Sequence, residues 1–496
     1  MSGPGTTEQR SPWPALWALV VGFFMILVDS TIVSVATPTL MEAFDTDVNG
    51  VLWVSSAYLL AYAVPLLVTG RLGDRFGPRP VYLTGLAVFT VASLWCGLSG
   101  ELGLGLSGLI AARVVQGLGA SLMTPQTMTV ITRTFPAERR GTAMALWGAT
   151  AGVATLAGPL LGGLLLDSLG WEWIFFVNLP VGVIGWVLAF RLVPRLATHS
   201  HRFDLLGVVL SGVGLFCLVF GLQEGQAYDW GTIWSWISVP LLIGVGIALL
   251  GLFIGWQARN RREPLVPLRL FGDRNFSLAN VAITTMGFTI TAMIFPFYIW
   301  AQSVRGLSPT QAALVMAPSS VLSFLLARYA GQLTDRVHPR ILVGSGTVLL
   351  AAGLGLLTLA MTPTAPLWQA LAAAAVLGVA NPLIWGPLST TATRNLPMAD
   401  AGAGAGVYNT TRQLGAVLGS AAIAVLMQAR ITAHLGSGGP AGSPGGAGAS
   451  GADLPPMVAD GLSRALAESL YLPMGVILLG ALAALFFERP RHLLRR

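Results

Sequence analysis

GRLGDRFGPR, residues 70–79, returns as GQLTDRVHPR, residues 331–340. Gly70/Gly331, Leu72/Leu333, Asp74/Asp335, Arg75/Arg336, Pro78/Pro339 and Arg79/Arg340 all stand 261 positions apart. Further along the chain, Arg133/Arg394, Pro136/Pro397 and Gly141/Gly402 keep the same offset. One short match arises easily by chance, whereas two separated matches in one register do not. The chain therefore reads as two homologous halves in parallel orientation, the first ending near residue 195 and the second beginning near 263.

What lies in each half follows from composition. Charged residues are 10% of the 496 and apolar residues 54%, with a mean hydropathy of +0.72, whereas a soluble chain is roughly a quarter charged. The solvent of this chain is mostly lipid. All 28 basic residues are Arg and Lys is absent, which excludes a P-loop nucleotide site and a retinal or pyridoxal Schiff base, since both need a lysine amine. The five His fall between or beyond the apolar stretches, so no HExxH-type zinc site lies within the membrane. Cys96 and Cys217 sit inside apolar runs and read as small hydrophobes.

Runs of about 20 apolar residues give fourteen spans, near 14–38, 51–70, 81–99, 105–132, 142–166, 173–193, 204–223, 233–256, 276–301, 310–330, 341–361, 366–393, 403–429 and 470–487. The expected architecture is all-α and integral to the membrane: a six-helix bundle over 1–195, two inserted helices over 196–262, and a second six-helix bundle over 263–496. The Gly/Ser/Pro/Ala-rich stretch about 435–468 reads as a flexible outer loop. Cytoplasmic loops collect basic residues. With both termini inside, 23 of the 28 Arg fall on the cytoplasmic side.

Several further motifs stand in order: LVDSTIVSVATP (27–38), RVVQGLGASLMTP (113–125), GPLLGG (158–163) and WIFFVNLPVG (173–182). With the 70–80 segment they give the chain, over nearly its whole length, a resemblance to the major facilitator superfamily, specifically its fourteen-span drug:proton antiporters. That resemblance implies a bacterial plasma-membrane exporter with no cofactor and the proton as coupling ion.

Asp29 is the only acid deep in a span. An ionised carboxylate there costs about 2.5–3.5 kcal/mol on insertion scales, so it should face a wet cavity or hold a proton at a raised pKa. The alternative is a structural acid bonded to a neighbouring helix. Arg113, in the fourth span, is its natural counter-charge; the resemblance implies a part in proton transfer, and a structural Arg tied to carbonyls is the other reading. Gly70, Asp74, Arg75, Gly77 and Arg79, with Asp335 and Arg336 in the second copy, read as a gate in which Asp74 meets a helix N-terminus or an Arg of the neighbouring bundle. Gly158, Pro159, Gly162 and Gly163 should kink the fifth helix and give it a smooth face; the resemblance associates this signature with antiport, although Ala154 stands where the pattern carries Gly.

The expected partners are a small-molecule substrate and membrane lipids; nucleic acid is not expected, and the oligomeric state stays open with a monomer sufficient. Phe24, Met25, Tyr58, Trp147, Phe288, Phe295, Trp300 and Trp385 are aromatic or soft side chains at cavity depth, and Asn381, Asn409 and Arg412 supply polarity. Members of the family it resembles that are specialised for dications carry extra acids in their late spans; this chain has none there, so the resemblance implies monovalent cations or neutral amphiphiles. Two other functions stay open: a dedicated exporter of a lipid, siderophore or self-made antibiotic, and a receptor that binds without turnover. An enzyme is disfavoured because the spans hold no nucleophile–base pair or metal set.

Overall fold

The computed structural model describes residues 11–46, 48–198, 204–225, 228–260, 264–397, 400–435 and 455–488. The first copy of the repeat forms α1 (Trp13–Val35), α2 (Thr37–Ala43), α3 (Val48–Ala63), α4 (Leu66–Phe76), α5 (Pro78–Leu98), α6 (Gly105–Thr134), α7 (Ala137–Ser168), α8 (Trp173–Phe176) and α9 (Asn178–Leu192). Between the copies lie α10 (Leu205–Gln223) and α11 (Val239–Arg259), joined by a small hairpin of β1 (Thr232–Trp234) and β2 (Ile237–Ser238). The second copy forms α12 (Arg274–Ile299), α13 (Pro309–Val315), α14 (Ala317–Thr334), α15 (Pro339–Ala360), α16 (Leu367–Thr393), α17 (Ala401–Leu435), α18 (Pro456–Ser469) and α19 (Tyr471–Leu485).

Proline opens the first turn of many of these helices, including α5, α11, α14 and α15. There its missing N–H costs nothing and its fixed φ suits the helix. Gly77 turns the chain between α4 and α5 with φ of +91°, a conformation that strains any residue with a Cβ. The surface remains apolar where lipid would lie, as at Leu359, Trp368 and Val91, and helices satisfy their own backbone groups there.

Among the described residues, twelve helices are long and apolar enough to cross a membrane. A bent pair, Trp53–Ala63 with Leu66–Phe76, makes up to thirteen. The expected span 310–330 is not among them: it is divided into α13 and α14, which meet at Met316. The outer loop expected over 435–468 also needs correction. Part of it, residues 436–454, lies outside the described residues, but 456–468 is helical, in α18. Its Leu462 and Leu466 bury against Met427, Ile431 and Leu435 of α17, contacts that the composition of the preceding Gly-rich run concealed.

α10 and α11 pack on each other, and Asp204 ties their ends. It caps α10 through Gly207 N at 2.9 Å and accepts from Trp256 Nε1 at 2.9 Å and Gln257 Nε2 at 2.8 Å on α11. The far end of α10 reaches both copies of the repeat: Val219 packs with Leu60 of α3 and Val417 of α17, and Phe220 lies 5.5 Å from Trp53.

Candidate functional site

Five helices of the first copy converge on one carboxylate. Asp29 of α1 is fully buried and accepts from Arg113 Nη1 at 2.5 Å, Gln116 Nε2 at 2.8 Å and Asn178 Nδ2 at 2.7 Å, which stand on α6 and α9. Gln116 also donates to Ser93 of α5 at 2.8 Å. The Arg113 guanidinium donates through Nε to Val54 O of α3 at 3.1 Å and lies 4.1 Å from the Tyr58 ring centroid. The carboxylate is enclosed by protein groups in this state, the arrangement expected of an acid bonded to neighbouring helices. A charge-assisted network does what water would have done. Gln116 and Asn178 are new relative to the sequence reading. Each lies within a quoted motif, but only the folded geometry aims both at Asp29.

A second polar site lies at the ends of the helices, where the two copies of the repeat exchange contacts. Asp74, buried, accepts from Gly402 N and Ala403 N, each at 3.0 Å, in the first turn of α17. Arg133 donates to it at 2.9 Å. The related contact in the second copy is Asp335, which accepts from Gly141 N of α7 at 3.2 Å and pairs with Arg394 at 3.4 Å. Each aspartate thus has an arginine of its own copy and a backbone amide near a helix start of the other, where the dipole is positive. The approach requires small residues: a Cβ on Gly70 would lie 2.5 Å from Gly402 O.

The other gate candidates stand apart. Arg75 lies over Phe76, Arg79 donates to Phe190 O and stacks on that ring, and Arg336 is exposed. Arg71 instead joins the site, 3.8 Å from Asp74 and bonded to Pro264 O and Leu265 O at 2.7 and 2.9 Å. Of the antiport signature, Gly158 meets α1, where a Cβ would fall 1.9 Å from Thr31 Oγ1, and Gly163 faces Thr310 of α13. α7 runs through Pro159 as one helix, with Gly162 buried.

Between α7 of the first copy and α12, α13, α14 and α16 of the second is a cavity of about 100 Å³. Of the substrate candidates, Asn381 and Trp385 line it. Trp147 is buried and stacked on Phe23 at 4.8 Å, Tyr58 lies under Arg113, and Met25 packs beside it. Phe24 and Phe288 are half-buried, Phe295 faces outward, and Trp300 is buried against Phe297. Asn409 bonds to Ala405 O of its own helix, while Arg412 donates to Tyr62 Oη at 3.3 Å. Met293, Phe297, Tyr298 and Met316 line the cavity without having been singled out. A signal existed in the prolines inside helices, Pro296 and Pro382, which flank it.

The sequence profile described as Major Facilitator Superfamily matches residues 19–420. The chain belongs to that superfamily. A relative named "Uncharacterized MFS-type transporter Rv1250", from Mycobacterium tuberculosis, is 53% identical over 97% of this chain and 82% of its own length. The "Tetracenomycin C resistance and export protein" of Streptomyces glaucescens is 34% identical over 86% of this chain and 78% of its own. The "Multidrug resistance protein Stp" of M. tuberculosis is 32% identical over the same shares. The solved structure of the proton:xylose symporter XylE overlays with a TM-score of 0.64, covering 95% of this chain and 94% of that one, at 14% identity. As a major facilitator protein the chain is a multi-pass membrane transporter of small molecules and not an enzyme.

Proposed function

We propose that this transporter is a proton-coupled exporter of small lipophilic or cationic compounds, working by alternating access. The observation that carries the reading is the buried Asp29 cluster, because a carboxylate held by Arg113, Gln116 and Asn178 has a neutral state as well as a charged one. A proton arriving from the acidic side cancels the charge that Arg113 balances, so the helices that meet at Asp29 lose their strongest cross-link. α7 relays the change: Gly158 touches α1 two residues from Asp29, Gly148, Ala149, Ala151 and Gly152 wall the cavity, and Gly141 holds Asp335. The reciprocal contacts at Asp74 and Asp335 hold the bundles together at that end and must break for the other state to form.

In this reading residues 1–195 and 263–496 are the rocking six-helix bundles and 196–262 the inserted pair, with α13–α14 completing fourteen spans. Both termini face the cytoplasm of a bacterial plasma membrane. Arg-rich loops on one side support that orientation. One pH unit with about 100 mV supplies roughly 3.7 kcal/mol per proton, enough for a gradient of about 500-fold, with no cofactor. The names of relatives that export or resist single antibiotics favour a narrower second reading, a dedicated natural-product exporter.

Proteoliposomes test the proposal. Substrate-induced proton flux present in the wild type and absent in Asp29→Asn is expected; uphill export that persists in Asp29→Asn would remove the coupling role of this residue.

A further inference from the structure

The cavity walled by α7, α12, α13, α14 and α16 has an unusual chemical inventory. Among the described residues, none of those around it is charged. Its walls are Met293, Met316, Phe297, Tyr298 and Trp385 with small residues of α7, so they are soft and aromatic. The polarity comes from Asn381 and a few hydroxyls, and one of these is already committed. Pro382 has no N–H, which leaves Gly378 O without its usual partner one turn earlier; Ser323 Oγ donates to that carbonyl at 3.2 Å. Asn381 Oδ1 has no such arrangement. It is a buried acceptor with no hydrogen-bond partner, and such atoms are rare in folded proteins because they pay a desolvation penalty for nothing.

We propose that this cavity is a subsite for uncharged, ring-sized amphiphiles that donate one hydroxyl or amide hydrogen bond to Asn381 Oδ1. A volume of about 100 Å³ encloses only part of a drug-sized molecule, so the subsite grips the ring at one end of a larger substrate. A cation is disfavoured, since no counter-charge lines the walls and an unpaired charge in an apolar cavity is costly. The proposal deepens the export reading by naming the substrate class, and it rests on that reading for transport but not for binding.

Equilibrium binding to the full chain in lipid nanodiscs, with no gradient, tests it with three probes of one ring system: 1-naphthol, 1-methoxynaphthalene and 1-naphthyltrimethylammonium. The expected order is naphthol at least tenfold tighter than the methoxy analogue, which cannot donate, and tighter again than the cation. In Asn381→Leu the ratio of naphthol to methoxynaphthalene should fall to about one. In Asn381→Asp, which keeps the shape, the cation should gain at least tenfold. A cation bound as tightly as naphthol by the wild type, or a ratio unchanged in Asn381→Leu, overturns the proposal while leaving the proton-flux test untouched. Naphthol selectivity without proton flux overturns the antiport reading alone.

Discussion

Asp74 Oδ1 lies 3.0 Å from the backbone nitrogen of Gly402, a residue 328 positions further along the chain. The related pair, Asp335 and Gly141, is the same contact with the copies exchanged. Because the bonds are charge-assisted and lie near helix starts, each stabilises the docked state by about 1.5–3 kcal/mol. Asp74→Asn keeps the shape and removes the charge. Spin labels at exposed positions 76 and 332 should then report a longer-distance population raised about tenfold or more, and an unchanged distance distribution would show that the contact holds nothing.

The Asp29–Arg113 pair separates stability from coupling. Asp29→Asn leaves Arg113 buried without its counter-charge, an error that costs about 3–5 kcal/mol. The double variant Asp29→Asn, Arg113→Gln removes the stranded charge, so thermal stability should recover most of that loss while proton-coupled transport stays absent. Recovery of transport in the double variant would contradict the role given to Asp29.

Gly158 and Thr31 should behave as one contact. An added methyl would sit 1.9 Å from Thr31 Oγ1, so Gly158→Ala forces α1 and α7 apart and is expected to destabilise by about 1–3 kcal/mol. Thr31→Ala should return part of that in the double variant, a coupling measured by a thermal-shift cycle. Additive effects would mean that the helices are not held at this spacing.

Asp204 supplies the pH prediction for the inserted pair. Burial pushes its carboxyl up, but hydrogen bonds from Gly207, Trp256, Gln257 and Asn260 outweigh this and hold it below the usual carboxylate range. A depressed value means that its contribution is fully present above the unfolded value, near 3.9, and is lost as pH falls through the folded one. Asp204→Ala should lower stability by about 1 kcal/mol at pH 7, as for other N-caps, and the deficit should shrink toward pH 3.

Glu224, just past α10, has the opposite sign. Burial raises its carboxyl pKa, opposed by a hydrogen bond with Ser56 of α3. The neutral form is favoured in the folded chain, so its contribution is greatest below about pH 4.3 and declines as pH climbs through the raised value. Glu224→Gln should therefore flatten the fall in melting temperature between pH 5 and pH 8. An unaltered slope would mean that Glu224 ionises at its ordinary value.

Much of this was legible in the chain itself. The 261-position offset located Asp74, Asp335, Gly141 and Gly402, because a repeat forces related residues to related places. The lone intramembrane acid and Arg113 could be paired because few charges tolerate lipid. Three things were hidden. Gln116 and Asn178 carry no sequence signal of their partner, since neutral amides are common in spans. Aromatic residues such as Trp147 and Trp300 serve packing as readily as ligand, and burial alone separates them from Trp385. The helix α18 was masked by the Gly-rich run before it, although Leu462 and Leu466 stand at the spacing of an amphipathic face.

Five glycines of α7 sit against other parts of the machine: Gly141 at Asp335, Gly148 at Trp385, Gly152 at Ser323, Gly158 at Thr31 and Gly163 at Thr310. A single rigid rod touching five stations cannot slide at one without shifting at the rest. A compound wedged anywhere along it would stall the whole cycle, so inhibitors of this transporter need not resemble its cargo.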